Sequence, residues 1–235
     1  MPTTWAWRAA VIATIFIVFG NAAGIAAGPN VVTVSGEAIA QSAGTVLIVI
    51  VASRWCGLTW AEAGIGRTNL MRSSLIGIGT GLGLAAVVLL ALEAGAWLGT
   101  PITYQPLRGV SISAVLTHAL VGLPLLTAIP EELAFRGLML GLLMRKLTPL
   151  RATLVTSAVF VAWHGAVQLQ TLAVTSFTSP WLIVPAMGLA FAGLFAGGVI
   201  FALLRLRTGN LAAAVMAHWL FDAGLITGLF VLTRS

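Results

Sequence analysis

Acidic residues are almost missing from this sequence, six in 235 residues against twelve Lys and Arg. Charged residues of both signs amount to 8% of the chain, where a soluble domain carries about one quarter. A water-soluble fold of this length cannot hide side chains that are 59% hydrophobic, so lipid must solvate most of the surface. The lone Cys56 excludes an intramolecular disulfide and says nothing about redox compartment. Internal repeats, low-complexity tracts and an organelle transit signal are also lacking, which points to a single integral membrane domain over residues 1–235 in the plasma membrane.

What charge there is has a pattern. A net +6 in a soluble protein would suggest nucleic acid, but here the basic residues sit mainly between apolar runs and read as topology signals. The expected environment is the lipid bilayer, with no nucleic-acid partner. About seven apolar stretches are long enough to cross it. They run approximately Trp7–Ala26, Ala38–Cys56, Leu75–Leu98, Ile112–Met144, Ala152–Leu169, Leu182–Leu204 and Leu211–Leu232. The first could be a cleaved signal peptide, and the spans that follow favour an uncleaved helix.

Arg54, Arg67 and Arg72, then Arg145, Lys146 and Arg151, then Arg205 and Arg207 fall in alternate connections. Arg8 joins them on one side, and the other side receives Arg108 and Arg234. The positive-inside rule then predicts a cytoplasmic amino terminus and an external carboxyl terminus. The connection Gly57–Ser74 mixes Trp60, Leu70 and Met71 with Glu62, Arg67 and Arg72, as an amphipathic interfacial segment does. Gly79/Gly83 and Gly193/Gly197 have the spacing that lets helices approach closely. Pro130 predicts a kink or break in the long fourth stretch, with a fresh helix beginning there.

Against this apolar background Glu131, Glu132, Arg136, His164, His218 and Asp222 stand out, since each ionisable group in a span costs roughly 2.5–3.5 kcal/mol on insertion. Counted from the basic connections, Glu131 and His164 lie roughly 20 Å and His218 roughly 16 Å along their helices, so three helices deliver polar groups to one level. Glu132 and Arg136 are four apart and predict an ion pair. Glu131 points about 100° away and is the freer carboxylate, the better candidate for chemistry. Both acids would gain from the dipole of a helix starting at Pro130. His218 and Asp222 share a face, so the carboxylate can orient the imidazole or take its proton. Phe160 stands one turn before His164 and can pack over its ring. His118, some 20 Å from Glu131 along its helix, falls outside the cluster.

The runs Glu131-Glu132-Leu-Ala-Phe-Arg136, Phe160-Val-Ala-Trp-His164 and His218-Trp-Leu-Phe-Asp222 resemble the three motifs of the CAAX protease and bacteriocin-processing family. These are membrane-embedded glutamic endopeptidases related to type II CAAX prenyl endopeptidases. The motifs occupy the chain from Glu131 onward, within a catalytic core of approximately 111–232. The resemblance implies an all-α polytopic bundle around a cytosol-facing cavity, and a hydrolase acting on a peptide or a membrane-anchored protein. It implies that Glu131 and His164 bind and activate water, while His218 and Asp222 stabilise the oxyanion. Eukaryotic members often carry Asn at the last position. An ionised Asp222 would repel an oxyanion, so it must be protonated or act by orienting His218. Peptide hydrolysis needs a base, oxyanion donors and an acid for the leaving amine, which the cluster contains.

The same side chains admit other readings. Glu131, His164, His218 and Asp222 could ligate zinc, although no HExxH pair is present and the metal-free mechanism, with no cofactor, is the expectation. Intramembrane carboxylates and histidines also build the relays of proton-coupled transporters, against which the lack of an inverted repeat weighs. A catalytically silent scaffold of the same fold is the third alternative.

Overall fold

The computed structural model describes residues 3–28, 34–99, 104–175 and 180–233. Arg234 lies outside them. Helix α1 is Thr3–Ala27, α2 Gly36–Cys56, α3 Leu70–Trp97 and α4 Ile112–Met144. Then come α5 Pro149–Trp163, α6 Gly165–Ala173, α7 Pro180–Thr208 and α8 Ala212–Leu232. Six of these are long and apolar enough to span a membrane, and α5 with α6 makes a seventh if that pair, bent by 49°, is one span. The protein is an all-α polytopic membrane bundle. Leu47, Val87, Leu90 and Leu189, all more than half exposed, face outward as lipid solvation demands.

The main core lies between α1, α2, α4, α5 and α7, where Ile12, Phe16, Val49, Phe135, Leu138, Trp163 and Ala202 are buried together. Helix α1 is therefore an integral part of the bundle. A second cluster, Tyr104, Leu107, Val115, Ala119, Leu123, Ile226 and Phe230, packs α8 against the start of α4.

Helix α8 lies closest to α3. The expected close-approach pairs are corrected here: a Cβ at Gly79, Gly83, Gly193 or Gly197 would meet nothing within 4 Å. Gly77 and Gly81 carry the contact instead, because a Cβ there would run into the carbonyl oxygens of Ala213 and Ala217. The same four-residue spacing occurs twice on α3, offset by two residues, and a two-residue offset turns a helix by about 200° to its opposite face.

Of the kink or break expected at Pro130, the break does not occur. The helix runs through Pro130 because its turns widen to an i→i+5 pattern over His118–Ala128 and again over Leu133–Met139. Ile129 N–H reaches back to Pro124 O in that pattern. Pro124 and Pro130 have no N–H for the carbonyls five residues behind them, Ala119 and Leu125. Both carbonyls are taken by other helices: Trp219 Nε1 donates to Ala119 O at 2.7 Å and Ser42 Oγ to Leu125 O at 3.3 Å. Glu131 and Glu132 thus sit inside a continuous helix, and the expected stabilisation by a new helix start at Pro130 does not apply.

The connection between α2 and α3 is a series of turns stitched to the bundle. Arg145 Nε and its NH2 nitrogen donate to the two Glu62 carboxylate oxygens at 2.7 and 2.8 Å. Asn210 Nδ2 donates to Gly66 O and Thr68 O, Leu211 N to Gly64 O, and Arg205 to Glu62 O. Trp60 and Met71 remain about three-quarters exposed, as an interfacial segment requires.

Candidate active site

The polar residues of α4, α5 and α8 meet in pairs. Glu131 Oε2 faces His164 Nε2 at 3.6 Å. Glu132 Oε1 accepts from Arg136 NH1 at 2.8 Å, the expected one-turn pair, and stands 2.9 Å from His218 Nδ1. His218 Nε2 lies 3.3 Å from Asp222 Oδ2, the other expected one-turn pair. Glu132 and Arg136 are fully buried, and Glu131 and His218 are 7% and 5% exposed.

Each imidazole is fixed by what its second nitrogen touches. His164 Nδ1 is 2.8 Å from Phe160 O, which can only accept, so Nδ1 carries a proton. In the neutral ring Nε2 is then a lone pair directed at Glu131. Phe160 packs edge-on to the His164 ring with centroids 4.4 Å apart, as its spacing suggests. His218 has a carboxylate at each nitrogen and can satisfy both only as imidazolium, or with one carboxyl protonated. Phe201 stacks on it at 5.3 Å. Arg136 lies over the Phe160 ring at 4.3 Å and donates to Gly198 O at 3.3 Å, so the buried cation has ring and carbonyl partners beside Glu132.

Sequence reasoning treated Glu132 as a clamp for Arg136 and missed its bond to His218, since a contact between distant helices has no local spacing signal. It also missed Asn21. Chain α5–α6 breaks at His164, and the Asn21 amide fills the break: Nδ2 donates to Ala162 O at 2.8 Å and Oδ1 accepts from Ala166 N at 2.7 Å. Gly165 leaves it room, because a Cβ there would come within 2.9 Å of Asn21 Oδ1. A lone amide inside an apolar span was the available signal.

Glu131, His164, His218 and Asp222 do not gather into a metal-binding group: among the described residues no three such side chains could share one ion. The zinc alternative therefore has no preformed ligand set. His118 stands apart, half-buried with Nδ1 unpartnered. The more exposed members of the cluster, His164 and Asp222 with side chains 13% and 26% accessible, lie at the end of α5 and one turn beyond His218 on α8. Accessibility thus rises away from the basic connections.

Curated proteins and solved structures give no match to the chain. A family model, type II CAAX prenyl endopeptidase Rce1-like, matches residues 109–224, which hold all three motifs and every member of the polar cluster. Over those residues, just under half of the chain, this all-α membrane bundle is similar to the Rce1-like type II CAAX prenyl endopeptidases.

Proposed function

We propose that this protein is an intramembrane endopeptidase that hydrolyses a peptide bond in a peptide or membrane-associated protein with water activated by Glu131 and His164. The observation that carries the reading is their pairing: a carboxylate and an imidazole lone pair from different helices, 3.6 Å apart, with the imidazole locked by the Phe160 carbonyl. Two acceptors at that separation can both bond one water at about 2.8 Å. Glu131 takes a proton from it, and the oxygen adds to the scissile carbonyl carbon. His218 Nε2 then donates to the oxyanion in place of Asp222, the most exposed member and the one free to yield. Proton return from Glu131 to the amide nitrogen accompanies C–N cleavage and releases an acid and an amine. Glu132 and Arg136 act through His218 by holding its ring.

The test uses purified protein in detergent with membrane-anchored peptides, prenylated and unprenylated. Glu131→Gln and His164→Ala are each expected to lower cleavage by at least about a hundredfold. Cleavage that persists in both variants overturns the assignment, and no cleavage by any form favours a transporter or a silent scaffold.

A further inference from the structure

At the end of the bundle where the basic connections lie, α1, α2 and α4 part to leave a cavity of about 140 Å³ lined by Trp5, Arg8, Cys56, Leu142, Arg145 and Lys146. Its volume is about ten times what a single water needs. Arg145 is neutralised by Glu62. Arg8 and Lys146 make no ion pair among the described residues, and Arg8 Nε is buried without a hydrogen-bond partner. Arg8 has only a carbonyl, Trp55 O at 3.4 Å, and the Trp55 ring at 5.2 Å.

Among the described residues no acidic side chain is left to serve them. Of the six acidic side chains, Glu62 is on Arg145, Glu131, Glu132 and Asp222 form the polar cluster, and Glu37 and Glu93 lie at the opposite ends of α2 and α3. A matching anion must come from outside. Trp7, Trp55 and Trp60, 50%, 40% and 74% exposed, mark this level as the headgroup region, and Trp5, Cys56 and Leu142 give the cavity an apolar wall. We propose that this cavity binds the phosphate of an anionic phospholipid from the adjacent leaflet, with Arg8 and Lys146 as its cations. The site is independent of the protease reading.

The test titrates short-chain fluorescent phosphatidylglycerol into the full chain in detergent, with phosphatidylcholine and inorganic phosphate as competitors. Each charge contributes about fivefold, so Arg8→Gln with Lys146→Gln should weaken binding about thirtyfold. Lys146→Gln alone, at an exposed side chain that cannot compromise folding, should weaken it about fivefold, and Arg151→Gln outside the cavity should not. Unchanged affinity in both cavity variants, equal competition by phosphatidylcholine, or full displacement by millimolar inorganic phosphate would each overturn the proposal.

Discussion

Replacing Glu132 by Ala strips a fully buried carboxylate that serves both Arg136 and His218. Arg136 and Glu132 are both 0% exposed, and Glu132 Oε1 lies 2.8 Å from Arg136 NH1 and 2.9 Å from His218 Nδ1. Removing one partner of a buried ion pair costs about 3–5 kcal/mol, because the survivor is left charged and uncompensated. Arg136 keeps the Gly198 carbonyl and the Phe160 ring, so the lower end, about 3 kcal/mol, is expected. Unfolding in detergent monitored by helical circular dichroism measures it. A double-mutant cycle with Arg136→Met separates the pair from generic packing and should give a coupling above about 1 kcal/mol. Loss of less than 1 kcal/mol in Glu132→Ala, or strict additivity in the cycle, would refute the reasoning.

Three further outcomes follow from the geometry. Gly81→Leu should unseat α8 from α3 and lower thermal stability strongly, whereas Gly79→Leu, facing open space, should be near neutral; equal effects would remove the assigned contact face. The bidentate bonds from Arg145, then the Thr59 backbone N–H, hold Glu62 at a pKa of about 2, well below the usual carboxylate range. A depressed carboxylate stabilises above its unfolded value near 4.3, and that contribution is lost as pH falls toward 2. Wild type and Glu62→Gln should therefore differ in unfolding midpoint at pH 7 and converge near pH 2, and a pH-independent difference would contradict the linkage. In a Cys56→Ser background, impermeant maleimide on whole cells should label Gln168→Cys and spare Arg151→Cys; the reverse pattern would invert the positive-inside orientation.

That last experiment addresses two expectations that exclude each other. Charge bias puts the basic connections in the cytoplasm, the family resemblance puts the mouth of the site there too, and helix register puts His164 and Asp222 toward the far end. Much else was legible because it is local. The pairs Glu132/Arg136 and His218/Asp222 follow from one-turn spacing, and the spans follow from apolar length. What could not be read depends on neighbours: the bond from Glu132 to His218, the Asn21 clamp, and which face of α3 meets α8. The break expected at Pro130 is absent where the turns widen and a hydroxyl from α2 takes up the Leu125 carbonyl, a partner with no local signal.

The widened turns of α4 act on the site as a vernier. Each takes more residues into a turn without ending the helix, so the azimuth at which Glu131 leaves the axis is set by how many residues lie between Pro124 and the motif. Deleting a single residue there would swing the carboxylate by roughly 100° out of line with His164 while leaving composition, hydropathy and all three motifs untouched. Two hydrogen bonds from Ser42 and Trp219 therefore guard the aim of a side chain that neither of them touches.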